Sequence, residues 1–218
     1  VARRIVGPDD GGELIPGIDI AGAWIPAYGV GGDVYDFFWL EDEPPQLCIA
    51  VADVAGKGMG AAMNAVMSDG MVFSRARHAG SVEEIMDSLN RSLYDKVDRR
   101  MFTAMCLVIL EPESLELTFA NAGLCEPLLR SGREVRYLSS RGSRFPLGVI
   151  RGAVYESTSV QLERGNVVAG AHPLGALQSE ATVEDPETAQ QNPLMVRQEV
   201  VAPVHGRLQG PLARHHGA

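Results

Sequence analysis

Apolar positions along this chain follow two periods, and the chain switches between them twice. Alternation and short apolar runs predict strands over IDIAGAWIPA (18–27), VYDFFWL (34–40) and LCIAVADV (47–54). The last is so uniformly apolar that both of its faces must be buried. Helical spacing of Ala and Met then predicts a helix over 59–78. In SVEEIMDSLNRSLYDKV, Ser81 precedes Glu84 by three positions, a capping box that opens an amphipathic second helix. Strand character returns in FTAMCLVILE, SLELTFANAG, PLLR, EVRYL and YESTSVQLE, with GSRFPLGV as a loop. Helices flanked on both sides by antiparallel-type strands indicate an α+β fold rather than a βαβ repeat. Residues 1–14, rich in Gly, Pro and charge, read as a linker or arm, and 15–168 as the folded domain. From Asn166 onward neither period persists, so 169–218 is expected to be an atypical, poorly ordered tail.

Composition narrows the class only a little. The 218 residues carry 19 basic and 28 acidic side chains, a net charge of −9, without a dense Lys/Arg run. That disfavours nucleic acid or an anionic membrane as the main partner. Apolar runs such as AMCLVIL fall far short of the roughly 20 residues of a membrane helix, and no secretory signal is recognisable. Three cysteines without CxxC spacing, Cys48, Cys106 and Cys125, suit a reducing compartment. A soluble, cytoplasmic protein is the expectation. The methionines at 59, 63, 67 and 71 share a helix face, for which core packing is the default reading.

The stretch YGVGGDVYDFF (28–38) raises the chemical question. A dinucleotide fingerprint fails because Val34 stands where its third glycine belongs and a strand follows. A phosphate-binding P-loop fails too, since Gly58 follows Lys57 and Val51 occupies the earlier glycine position. Asp33 and Asp53 are each placed at a strand end beside glycine. Taken singly, each is an ordinary turn or cap residue. Yet an acid closing the apolar strand LCIAVA calls for a partner, and carboxylates on adjacent strand ends suit Mg²⁺ or Mn²⁺.

VGGDVYDFF, ADVAGKGMGAAM, FTAMCLVIL and ANAG, in this order and spacing, resemble the SpoIIE/RsbU-type PPM protein phosphatases across about residues 15–165. The resemblance implies a four-layer α-β-β-α sandwich of two antiparallel sheets flanked by helices. It implies a metal-dependent serine/threonine phosphatase with two Mn²⁺ or Mg²⁺ ions that activate a water, and no side-chain nucleophile. By position, Asp33 matches the acid bridging the metals, Asp53 a second ligand, and Val54 a backbone-carbonyl ligand. Asp36, Lys57, Gly32 and Gly56 match supporting or structural positions. The implied partner is a phosphorylated protein of the anti-sigma-factor antagonist type; a sensory domain preceding residue 1 and a homodimer accord with the same resemblance.

Three departures stand against full activity. Leu124 replaces the histidine of the family's NAGH, and Asn166 replaces an acid after LERG. No TDG, whose Asp is the family's third metal ligand, follows in VVAGAHPLGAL. Glu180, Glu184, Asp185 and Glu187 are the remaining acids in the tail, and its break in pattern after Val168 reads as a truncated or frame-altered end. The alternative is therefore a catalytically impaired phosphatase-like module that acts by binding partners.

Overall fold

The computed structural model describes residues 2–4, 18, 20–23, 31–40, 44–56, 58–78, 80–96, 101–173 and 197–203. Lys57, the acids between 180 and 187, and most of the expected arm and tail lie outside them. In chain order the elements are β1 (Ala2–Arg4), β2 (Ala21–Ala23), β3 (Asp33–Leu40), β4 (Gln46–Val54), α1 (Met59–Ala76) and α2 (Val82–Lys96). They continue with β5 (Thr103–Glu111), β6 (Glu116–Ala122), β7 (Leu128–Ser131), β8 (Glu134–Tyr137), β9 (Thr158–Gln161), β10 (Val167–Pro173) and β11 (Arg197–Pro203).

The strands form two antiparallel sheets, one ordered β3-β4-β5-β6-β9 and the other β1-β2-β11-β10-β7-β8. Alternation in the central strands divides the core in two. Leu47, Ile49 and Val51 of β4, with Ala104, Cys106 and Leu110 of β5, pack toward residues of the second sheet such as Leu129 and Val168. Cys48, Ala50 and Ala52, with Met105 and Leu107, pack toward Val72 of α1 and Ile85, Met86 and Leu89 of α2. Both faces of β4 and β5 are thus buried, as their unbroken apolar runs require. The layers are helices, sheet, sheet; the second helical layer of a four-layer sandwich is not formed among the described residues.

The helices obey their sequence signals with one exception. Ser81 Oγ accepts the Glu84 N–H at 3.3 Å, and the Glu84 carboxylate accepts the Gly80 N–H at 2.8 Å, so the box closes one residue early. The exception is α1, whose buried stripe is Ala61, Ala65, Ser68, Val72 and Ala76. Met67 and Met71 touch the core, but Met59 and Met63 are 65% and 66% exposed. Small residues let the helix axis approach the sheet closely, and the methionine row is rotated away from that contact. Strand formation over 2–4, 167–173 and 197–203 also has no period in the sequence; β10 is held by its ladders to β7 and β11.

A long connection from Leu138 to Ser157 is tied down by the polar side of α2. Asn90, 1% exposed, donates to the carbonyls of Ile150 (2.9 Å) and Arg151 (3.3 Å) and accepts the Gly148 N–H (2.9 Å). The Glu83 carboxylate accepts the N–H of Ser157 at 3.1 Å and also its hydroxyl. Asp87 accepts the Tyr155 N–H at 3.5 Å.

Asn90→Ala is expected to destabilise the fold by about 1–3 kcal/mol, because it orphans buried backbone groups, and a lowered urea midpoint checks this. The thiols supply a second test. Cys48 and Cys106 are buried and Cys125 exposed. Burial pushes both inner thiols up to about 12, with the Asp36 charge adding to the shift at Cys48. A disulfide reagent at pH 8 should therefore titrate one thiol in the native protein and three after denaturation. The unfolded chain ionises these two groups from about 9.0 while the fold retains their protons to about 12, so stability should decline across that interval.

Candidate metal centre

Asp33 and Asp53 are direct cross-strand partners, the last register pair of the β3–β4 ladder. The neighbouring pair is hydrogen-bonded, Val54 N–H to the Gly32 carbonyl at 3.1 Å. Alternation along the ladder therefore makes 33/53 a non-bonded pair, the kind whose Cα atoms approach to about 4.5 Å. Asp33 has the parity of Tyr35 and Phe37, and Asp53 that of Ile49 and Val51, all packed on the inter-sheet core. The two half-buried carboxylates consequently stand side by side at the mouth of the space between the sheets. Like charges directly opposite one another are destabilising in an antiparallel pair. A hard cation between them would reverse that sign.

Glycine at position 32 has a steric cause. A Cβ there would lie 2.4 Å from the Val54 carbonyl oxygen and 3.3 Å from the Ala61 methyl. The strand end, the Val54 carbonyl and the start of α1 can close on each other only because position 32 has no side chain. Gly56 turns the chain from β4 toward α1 at φ +118, a region that disfavours side chains, and the Ala55 N–H donates to the Phe102 carbonyl at 2.8 Å. Val54 is itself buried.

The second acid of GGDVYD goes elsewhere. Asp36 shares the parity of Val34 and Phe38, which pack on the helix side of the sheet. It accepts the Phe37 N–H at 2.9 Å. Burial raises its pKa above the ordinary carboxylate value, with the Phe37 hydrogen bond opposing. Its charge also contributes, after burial, to the upward shift of Asp69 on α1. Asp36 therefore lies on the opposite sheet face from the Asp33/Asp53 pair.

The departing positions have structural work. Leu124 is buried in the inter-sheet core. Asn166, 5% exposed, accepts the Glu163 N–H at 3.1 Å and donates to the Ser131 hydroxyl at 3.2 Å, closing the turn into β10. The residue sequence reading passed over is Asn121, the second of ANAG. Buried at the end of β6, it accepts the Leu124 N–H (2.9 Å) and donates to the Leu124 (3.0 Å) and Cys125 (3.3 Å) carbonyls. An amide between an apolar strand and a glycine was the available signal, since only such a group satisfies both donors and acceptors of a tight turn.

The carboxylate pair and the Val54 carbonyl fit one divalent cation that keeps several waters. Among the described residues no three His, Cys, Asp or Glu side chains converge to hold a metal, so a second ion finds no ligand set there.

Comparison with known proteins bears on this site. The profile of the Stage II sporulation protein E (SpoIIE) family matches residues 43–201. The chain is 26% identical over 151 residues to phosphoserine phosphatase RsbU of Bacillus subtilis (strain 168), covering 69% of this chain and 44% of that protein. It therefore spans less than half the length of this relative. The solved RsbU and RsbW domains of Rv1364c from Mycobacterium tuberculosis superpose with a TM-score of 0.62 at 26% identity, covering 72% of this chain and 44% of that one. RsbX in complex with magnesium superposes at 0.59 with 17% identity, covering 85% and 94%, which speaks to fold alone.

Gly32→Ala tests the steric account. It should cost about 1–3 kcal/mol as an overpacked site, read as a lowered thermal midpoint, whereas Gly60→Ala, with open space around it, should be neutral or stabilising.

Proposed function

The chain belongs to the SpoIIE family, and on that premise we propose that it is a metal-dependent protein phosphatase domain acting on a phosphoserine or phosphothreonine ester. The observation that carries this reading is the direct opposition of Asp33 and Asp53 at one sheet end, beside the Val54 carbonyl. Such a set of hard oxygen atoms suits Mn²⁺ or Mg²⁺; a magnesium complex of the structurally similar RsbX agrees with that choice. When bound, a divalent ion of this kind lowers the pKa of a coordinated water and neutralises phosphate charge.

This chain's own residues supply the rest. Asp33 and Asp53 hold the cation at the mouth of the inter-sheet space, and Gly32 keeps the two strand ends close enough to share it. Gly56 shapes the turn below, and Lys57 is a supporting residue by the family resemblance alone. Asp36 serves packing and the electrostatics of α1 rather than the metal. The substrate is a phosphorylated bacterial regulatory protein, of the anti-sigma-factor antagonist type, and a second copy of the chain and an upstream sensory domain are the further partners. The proposed domain is 15–168, with 1–14 as an arm and 169–218 as an atypical tail, although β1 and β11 of those flanks and the end of β10 join its second sheet; it acts in the cytoplasm. No helix among the described residues is long and apolar enough to cross a membrane.

A second reading is favoured by one observation: no three metal-binding side chains converge among the described residues. Two carboxylates carry too little charge to hold two divalent ions side by side, which suits a catalytically impaired module that works by binding partners.

Manganese separates the readings. Under the first, millimolar Mn²⁺ supports hydrolysis of a generic phosphate ester, and Asp33→Ala and Asp53→Ala abolish it. Ester hydrolysis that is absent with Mn²⁺ leaves the second reading, and hydrolysis insensitive to Asp53→Ala sinks the site. Binding gives a readout independent of turnover: Mn²⁺ at 100 times its Kd should stabilise the fold by about 2.7 kcal/mol. Asp53→Asn should weaken that affinity by at least the ~10–100-fold that even outer-sphere changes cost at metal sites.

A further inference from the structure

Charge in this acidic chain is unevenly placed. Between Pro127 and Gly152 stand six arginines, Arg130, Arg133, Arg136, Arg141, Arg144 and Arg151, against one acid, Glu134. Arg144 pairs with Glu126 at 3.4 Å and Arg151 with Asp95 at 3.3 Å. The other four make no ion pair among the described residues. Three of the four lie on the β7–β8 hairpin or its turn.

That hairpin borders an open flank of the sandwich. β8 ends one sheet and β9 ends the other. Between them runs a cleft of about 450 Å³, lined by Arg136–Ser139 and Thr158–Gln161. Arg136 is the register partner of Leu129, which is buried between the sheets, so its side chain leaves β8 on the cleft side. The other wall offers unsatisfied backbone. The Leu162 N–H donates to the Leu115 carbonyl at 2.9 Å, which fixes the phase of the β6–β9 ladder. By that phase Ser159 and Gln161 aim their N–H and C=O groups away from β6, toward the open edge. Among the described residues neither group has a backbone partner.

An open strand edge with a cationic wall opposite it has the requirements of strand addition: main-chain bonds on one side, charge selection on the other. We propose that the β8–β9 cleft binds an extended acidic segment of a partner protein, which pairs with β9 while its carboxylates meet Arg136 in the cleft wall and, beyond the cleft, Arg133 of the β7–β8 turn. Identifying that partner with the phosphoprotein substrate rests on the phosphatase reading; the cleft itself does not. The cleft lies three strands from β4, roughly 15 Å across the sheet, so a docked segment would leave the Asp33/Asp53 end free for a phosphorylated residue elsewhere on the same partner.

Fluorescence anisotropy with a labelled octapeptide alternating Glu and Val tests this, with the Lys–Val octapeptide and an oligo-dT strand as controls. The Glu–Val peptide should bind and the Lys–Val peptide should not. Arg133→Glu/Arg136→Glu should weaken binding at least tenfold. Ser159→Pro removes an outward N–H while sparing the backbone bonds to β6; it also removes the 2.8 Å bond between the Ser159 and Thr118 hydroxyls, which Ser159→Ala removes alone. The proline variant should weaken binding comparably and the alanine variant should not, with hydrolysis of a small ester unchanged in both. Absence of Glu–Val binding overturns the proposal, as does binding that ignores Ser159→Pro. Equally tight oligo-dT binding, insensitive to Ser159→Pro, would mark a general polyanion surface and overturn it too. Because the assay needs neither metal nor turnover, its failure is distinct from failure of the phosphatase reading.

Discussion

Burial of β4 and β5 on both faces is the constraint from which the architecture follows. A strand with one apolar face needs one neighbour; these two need a layer on each side. The helices α1 and α2 cover Cys48, Ala50, Ala52, Met105 and Leu107, and the second sheet covers Leu47, Ile49, Val51, Cys106 and Leu110. Slipping either strand by one residue would exchange the two sets and place alanines where the inter-sheet core needs Leu and Ile. Register is therefore pinned along the whole ladder, including its last pair. The opposition of Asp33 and Asp53 is a by-product of packing several residues away, not of anything local to the acids.

This explains how a site can be built on an unfavourable contact. Two carboxylates facing each other in one ladder work against the pairing that brings them together. The apolar pairs Tyr35↔Val51, Phe37↔Ile49, Phe38↔Cys48 and Trp39↔Leu47 hold the strands in place regardless. Gly32 then lets the Val54 carbonyl approach, adding oxygen rather than nitrogen to the site. The result is a sheet end rich in oxygen atoms, supported by a core whose packing does not depend on them.

Elsewhere, buried asparagines do the positioning. Asn90, Asn121 and Asn166 each bind backbone or hydroxyl groups of a connection, and each can donate and accept at once. Asn166 is instructive, because position-by-position resemblance treats it as a lost acid. In the structure it closes the turn between Glu163 and β10, a role served by its two-sided hydrogen bonding. Leu124 likewise fills core where the resemblance expects histidine. These replacements are at home in the fold, so the chain's departures at these positions are not damage to its packing.

Much of this was legible in sequence. Period and caps located α1, α2 and eight of the strands within a few residues, and the unbroken run LCIAVADV announced a strand buried on both sides. The ordered motifs pointed to the family and to Asp33 and Asp53. Local signals failed where neighbours decide. The Met59/Met63 row reads as core until the sheet selects alanines instead, and β10 has no strand period because its ladders, not its side chains, make it a strand. Likewise GGDVYD does not say that its two acids part to opposite faces; the two-residue period of a strand whose faces meet different layers decides that. Sequence by itself determined which residues must be buried and which chemistry was on offer. Only the tertiary structure decided which carboxylates meet, because that depends on register between strands, and register is set by the core.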